Sequence, residues 1–383
     1  MAGAYTRRAQ KRYTMLMRVL MISKACVVGA YQRKLELIAA HDDIDLTVVV
    51  PPSWRDERGV LRLERAHTSG YWLAVEPVAF NGRFHLHFYP RLARRFAQVR
   101  PDVVHIDEEP YNLATWHALW LARRAGAKAL FFTWQNLARR YPFPFAAGER
   151  WALRRADYAI AGTEGAAAVW RAKGYAGPLA VIPQFGVDPN LFSPGAPGER
   201  RRERPFVIGY AGRLVPEKGV DLLLRAAAGL PGEWRLDVLG SGPAAGELKA
   251  LAARLGIAAR VRFTAWVASE RMPAFYWGID ALAVPSRTRR NWKEQFGRVI
   301  VEAMACGAPV VGSDSGAIPE VMGDAGLIVP EDNEAALRAA LARLMGDPAL
   351  WADLSARGRA RVAAHFTQGR IAEATVRVYR EMV

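Results

Sequence analysis

The sequence predicts an α/β protein of two Rossmann-like domains, each built on a parallel sheet. Three observations carry that prediction. Short β-branched runs alternate with helical segments along nearly the whole chain, the pattern of parallel sheets covered by helices on both faces. A Pro/Gly/Arg-rich stretch, DPNLFSPGAPGERRRERP, breaks the alternation near the middle. The 383 residues, 51% of them hydrophobic, suffice for two cores of ordinary size.

In the first half the strand-like runs are MRVLMIS, DLTVVVPP, RFHLHFYP, DVVHID, AKALFFTWQ, YAIAGT and LAVIPQ. In the second half they are FVIGYAG, RLDVLGSG, VRFTAWV, ALAVPS, PVVGSDSG and GLIVP. Segments such as VDLLLRAAAGL and EAALRAALARLMG read as the helices between them. The layout is a mobile basic tail over 1–16, a first domain over 17–187, a linker over 188–205 and a second domain over 206–365. A final helix over 366–383 is placed to pack back on the first domain. Ligands of open parallel sheets gather beyond the carboxyl ends of the strands, so the expected site is a cleft that both sheets face.

Two cysteines, Cys26 and Cys306, are too few for a disulfide framework and fit a reducing compartment. MLMRVLMISKACVVGAY has a basic leader like a signal peptide, but Arg18 and Lys24 interrupt it, and it reads as a first buried strand. No apolar run reaches bilayer length, and a cytoplasmic protein, peripheral at the inner face of the membrane, is expected. The net charge is +16, of which residues 1–187 carry +12 and the remainder +4. This is what an arginine-rich proteome gives, and equally what a surface for an anionic membrane or a phosphate-linked lipid would need. The residues for such a surface are Arg91, Arg94, Arg95 and Arg100, and then Arg139, Arg140, Arg150, Arg154 and Arg155 among Tyr141, Phe143, Phe145 and Trp151. No nucleic-acid fold signature accompanies them, and nucleic acid is not an expected partner.

The segment EQFGRVIVEAMACGAPVVGSDSG, residues 294–316, follows a buried strand and a basic loop, RTRRNWK. A helix beginning near Phe296 or Gly297 would turn its free N–H groups toward a diphosphate. Glu294 would lie before that helix and Glu302 about two turns into it, and carboxylates suit sugar and ribose hydroxyls. Spacing alone fits a solvated surface helix equally well. In GYAGRLVPEKG, Arg213 and Lys218 follow Gly209 and Gly212 at a strand end. They can hold a diphosphate as charge builds on it, or simply flank a helix N-terminus.

Together these segments resemble retaining glycosyltransferase family 4, the group 1 glycosyl transferases of GT-B fold. EQFGRVIVEAMACGAPVVGSDSG carries its E-x7-E signature, and GRLVPEKG its G-R-x-x-x-x-K-G. The resemblance implies a hexosyltransferase acting from a nucleotide-sugar, UDP- or GDP-linked, without metal or other cofactor. It implies that Glu294 meets the donor sugar, Glu302 the ribose, and Arg213 and Lys218 the phosphates, these last with Glu294 being the catalytic set. The donor-binding set adds Gly212, Gln295, Phe296, Gly297, Arg298 and Val299 of the two motifs, Gly242 of LGSGP, Val267 closing VRFTAWV, and Gly29 of the first strand-to-helix loop. Relatives carry a histidine where FTWQN has Gln135, and glutamine cannot act as a base. Gln135, Glu108 and Tyr111 are the acceptor-side candidates, the acceptor being a glycan or a lipid-linked one. His105 reads as a packed residue, and Asp43 and Asp45, though spelling D-x-D, as a surface turn. The competing readings are a nucleotide-sugar 2-epimerase of the same layout and a non-catalytic sugar-binding or membrane-docking protein.

Overall fold

The computed structural model describes residues 16–56, 59–195 and 205–383. Apart from Leu16, the expected tail lies outside these residues, as does the linker segment 196–204. The chain divides into two compact units. The first comprises residues up to 162, 166–185 and 368–383; the second comprises 163–165 and 186–367.

The first unit holds β1 (Met17–Ile22), β2 (Ile44–Val50), the hairpin of β3 (Ser53–Asp56) and β4 (Gly59–Arg62), β5 (Trp72–Val75), β6 (Val103–Ile106), β7 (Lys128–Thr133), β8 (Tyr158–Ala161) and β9 (Leu179–Val181). Seven of these form a parallel sheet in the order β5-β2-β1-β6-β7-β8-β9. One face is covered by the helices Leu92–Val99 and Leu113–Ala125, the other by Arg33–Ala39 and Gln368–Met382. That last helix buries Ile371, Val376 and Tyr379 in the core, and Tyr379 bonds His105 Nδ1 at 2.7 Å. His105 is thus a packed residue, and burial holds it well below the usual imidazole range.

The second unit has β10 (Phe206–Ala211), β11 (Trp234–Leu239), β12 (Val261–Thr264), β13 (Ala281–Val284), β14 (Val310–Ser313) and β15 (Leu327–Val329), all parallel, in the order β12-β11-β10-β13-β14-β15. Described residues of the expected linker belong to this unit. Phe192 is buried beside Tyr276, and Ser193 O accepts from Trp277 Nε1 at 2.7 Å.

Two expected strands change. RFHLHFYP is a run of turns whose β pairing is one isolated bridge, Ala79 to Phe88. Its alternation runs the wrong way for a strand, with Phe84 and Leu86 exposed while His87 is buried. VRFTAWV stops as a strand at Thr264, so Val267 lies in the following loop and Trp266 is 74% exposed. Asp43 precedes β2 and is held by Arg380, at 2.7 and 2.8 Å, while Asp45 lies on β2 itself.

Candidate functional site

Each sheet has one place where the strand order reverses, and there neighbouring loops leave in opposite directions and open a crevice. In the second unit the reversal falls between β10 and β13. The loops after β10, β11 and β13 therefore decide what can bind there.

These loops are joined backbone to backbone. Leu214 N donates to Ser241 O at 2.9 Å and Ala244 N to Leu214 O at 3.0 Å. A Cβ on Gly240 would fall 1.8 Å from Gly212 O, and one on Gly242 2.3 Å from Leu214 O, so only glycines allow this approach. Gly219 has φ +67°, and a Cβ there would sit 1.9 Å from Pro285 O. The turn Pro216–Lys218 is thereby seated on the end of β13, and Arg287 clamps it through two bonds to Asp221, at 2.5 and 2.9 Å.

The seating brings Lys218 to Glu294. Lys218 Nζ lies 2.6 Å from Glu294 Oε2, which also accepts from Ser286 Oγ at 3.1 Å, and the ammonium stands 4.8 Å from the Trp292 ring. Glu294 is buried, and its carbonyl accepts from Ala317 N at 3.1 Å. Gln295, exposed, and Phe296, buried, lead to Gly297, which caps the helix Arg298–Ala305 in the left-handed region at φ +72°. Ile300 N donates back to the carbonyl of Gly297 at 2.8 Å, the N–H groups of Arg298 and Val299 precede it, and the positive end of the helix follows Glu294 directly. Arg213, exposed, follows Gly212 in the loop after β10. Its backbone carbonyl accepts from Tyr210 Oη at 2.7 Å.

Glu302 sits just over one turn into the helix rather than two, and is buried. Tyr276 Oη donates to one oxygen at 2.7 Å and Arg298 Nε to the other at 2.5 Å. Both oxygens are thus engaged within the unit. Val299, half-buried, opens the helix beside Arg298, and Val267 follows the edge strand β12, two strands from β10.

In the first unit the order reverses between β1 and β6, and there the crevice is filled by side chains. Ser23 Oγ donates to Asp107 at 2.5 Å, and Gln184 Nε2 donates to the same carboxylate at 2.8 Å. Lys24 is paired with Glu108, whose other oxygen lies 3.4 Å from His87 Nε2. Burial would raise the Glu108 carboxyl, but Lys24 and His87 outweigh it and hold it down at about 2. Glu109 is pushed up to about 7 by burial, although Thr133 Oγ1 and Trp134 N donate to it at 2.6 and 2.7 Å. Gly29 is buried in this unit, and its N–H is taken by Glu64 at 2.6 Å, so it offers no donor to a phosphate as it stands. Gln135 is buried; its carbonyl accepts from Lys173 Nζ at 3.0 Å and its amide donates to Tyr141 Oη at 3.3 Å. The Tyr141 ring lies 4.6 Å from that of Tyr111, so Gln135 and Tyr111 share a neighbour.

Sequence reasoning missed Ser286, Trp292 and Tyr276, and in the first unit Lys24 and Lys173. Ser286 closes ALAVPS at the end of a buried strand, the position from which side chains reach a switch point. Trp292 and Tyr276 left no such signal.

Residues 196–361 match the family described as glycosyl transferases group 1, and residues 28–184 match the glycosyl transferase 4-like domain. This chain belongs to the group 1 glycosyltransferases. Among relatives of this family, it is 36% identical over 263 residues to a D-inositol 3-phosphate glycosyltransferase of Mycobacteroides abscessus, covering 61% of this chain and 58% of that protein. It is 35% identical over 199 residues to a GDP-mannose-dependent alpha-(1-6)-phosphatidylinositol monomannoside mannosyltransferase of Mycolicibacterium smegmatis, covering 48% and 52%. The chain therefore spans somewhat more than half of these relatives. Anabaena HepE, solved with UDP, superposes with a TM-score of 0.74 at 22% identity, covering 95% of this chain and 100% of that one. The sucrose-phosphate synthase of Thermosynechococcus elongatus does so with a TM-score of 0.71 at 22% identity, covering 95% and 98%. These two likenesses establish the GT-B fold, two Rossmann-like units in one chain.

Proposed function

We propose that this group 1 glycosyltransferase moves a hexose, with retention, from a UDP- or GDP-linked donor to a glycan or lipid-linked acceptor, without a metal ion. One observation carries the proposal. At the switch point of the second unit a lysine and a buried glutamate meet beside a glycine-started helix N-terminus, on loops joined by their backbones.

In this reading the donor diphosphate lies on Arg213, on Lys218 and on the first N–H groups of the helix Arg298–Ala305. Lys218 turns from Glu294 to the phosphate or bridges both, and Glu294 accepts hydrogen bonds from the sugar. The bond from the anomeric carbon to the phosphate oxygen breaks while the acceptor oxygen bonds the same face. The acceptor proton passes to the departing phosphate, so no side-chain base is needed and Gln135 serves as a hydrogen-bonding group. Glu302 keeps a further lone pair on each oxygen beside its bonds to Arg298 and Tyr276, and through these it accepts from the ribose hydroxyls.

The relatives supply the support for substrates: one is a GDP-mannose-dependent mannosyltransferase, others are D-inositol 3-phosphate glycosyltransferases, and HepE was solved with UDP. No helix among the described residues is long and apolar enough to cross a membrane. The net charge of +12 on residues 1–187 supports a place at the surface of an anionic bilayer, on the cytoplasmic side in this reading. The product's anomeric configuration tests the mechanism, an inverted linkage refuting retention. Activity that vanishes with a chelator and returns with a divalent ion would refute metal independence.

A further inference from the structure

The first unit contains a cavity of about 450 Å³ that the transfer reading leaves unused. Apart from the His117 ring its lining is apolar, and most of it comes from two neighbouring helices, Leu113–Ala125 and Phe145–Leu153. Trp116 and Trp120 line it from the first, Gly148 and Trp151 from the second, with Phe88 beside them. Gly148 makes the close packing feasible, since a Cβ there would fall 2.1 Å from the Trp116 ring. The volume lies within the range of about 300–1,000 Å³ usual for ligand pockets.

The charges around it are arranged by helical spacing. Arg123 and Arg124 follow Trp120 by three and four residues and so share its face, and the Arg124 guanidinium stands 4.8 Å from the Trp120 ring. Arg154 and Arg155 follow Trp151 in the same way, Arg154 still with helical backbone. Each helix joins two adjacent parallel strands, β6 to β7 and β7 to β8, so both run in the same direction. Their arginine pairs therefore lie together toward the amino ends of the strands, away from the switch point.

The surroundings are strongly basic and carry exposed aromatic rings, and the acids at the same strand ends, Asp102 and Asp157, are paired with Arg18 and Lys128. Segments 83–100, 113–126 and 137–155 carry 12 arginines and a single acid, Glu149, which is buried with Lys173 at 2.6 Å. Of the arginines expected at this surface, Arg95 is turned aside, paired with Glu76 and over Trp72. Phe143 is 86% exposed and Phe80 58%, the latter 6.3 Å from Phe88. Exposed aromatic rings beside arginines suit the interface of an anionic bilayer, whereas two such faces would repel each other.

We infer that this groove holds one acyl chain of an anionic phospholipid, with the lipid phosphate on the two arginine pairs, fixing the protein to the bilayer at a site separate from the transfer chemistry. The inference rests on the membrane-surface part of the proposed function and adds the site.

The test uses the full chain carrying Trp120→Cys, labelled with an environment-sensitive NBD dye; the native Cys26 and Cys306 are buried and stay unlabelled. On vesicles of one part phosphatidylglycerol to three of phosphatidylcholine the emission rises, and a spin label deep in the lipid chain quenches it. Pure phosphatidylcholine gives neither. Adding Arg123→Gln with Arg124→Gln weakens binding about 25-fold, and high salt abolishes it. Flotation with the anionic vesicles without an emission change removes the groove and keeps the surface; no flotation removes both. An emission rise with protein concentration in the absence of lipid assigns the groove to a second copy and overturns the inference. Nucleotide binding measured on the same samples separates each of these results from a failure of the transfer reading.

Discussion

The two units share a topology and differ in what occupies the switch point. In the first, the crevice is filled by buried polar and charged groups bonded to one another: Ser23 with Asp107, Lys24 with Glu108, Glu109 with Thr133 and the backbone of Trp134. In the second, backbone comes to the crevice because glycines let it, and the side-chain chemistry narrows to Lys218, Ser286 and Glu294. Bare backbone and a helix terminus suit a phosphate, which needs N–H donors and positive potential. A filled polar network fixes shape, with much to lose when one member is removed.

That contrast can be broken by substitution. The largest expected effect is on stability in the first unit. Lys24→Met strands the Glu108 carboxylate, whose side chain has no exposure, and should cost about 3–5 kcal/mol in denaturant unfolding. A loss below about 1 kcal/mol would mean that the network is not held by its charges.

Next comes the backbone of the second unit. Gly219→Ala forces a Cβ against Pro285 O at a left-handed φ, and about 3 kcal/mol of stability should be lost together with nucleotide binding. Calorimetry on the variant would expose the error if UDP and GDP bound it as they bind the parent chain.

Lys218→Ala and Glu294→Ala should act chiefly on rate. Each is expected to lower kcat by about 10²–10³-fold, with a loss of stability smaller than that of Lys24→Met because the Lys218 and Glu294 side chains keep 22% and 9% exposure. A Glu294→Ala enzyme that transferred sugar as well as wild type would overturn the site assignment.

The remaining effect concerns pH. Glu109 has its carboxyl raised from the ordinary 4.5 to about 7, so the fold favours its neutral form. Its contribution to stability is full below the ordinary value and is lost as pH rises through about 7. Glu109→Gln should therefore flatten the stability profile between those two values. Glu108, lowered to about 2, runs the other way and contributes above its ordinary 4.5, losing that contribution as pH falls through about 2.

What could be read from the sequence follows the same contrast. Continuous apolar strands such as β1, β2 and β10 announce themselves because both faces are buried. Glycines and charges of the second unit lie close together along the chain, in GYAGRLVPEKG and EQFGRVIVE, so local spacing carries the site. The first unit's network joins Ser23, Asp107, Thr133 and Gln184, each unremarkable in its own segment and brought together only by strand order. RFHLHFYP misled because its period is right and its facing is not: His87 turns inward to Glu108, and no single-sequence pattern announces a buried histidine with a partner. The pairing of Arg298 with Glu302 was legible as an i, i+4 relation, but that this arginine and Tyr276 engage both carboxylate oxygens was not.

The helix Gln368–Met382 gives the protein an order of assembly. It belongs to the unit made first, yet it leaves the ribosome after everything else described here. Until it arrives, the face that will hold Ile371, Val376 and Tyr379 stays uncovered and His105 lacks its hydroxyl partner. The second unit, begun later, has all its strands and can close earlier. During synthesis, then, the half that starts first is finished last, and a chain stopped before residue 368 would present a completed second unit behind an open first one.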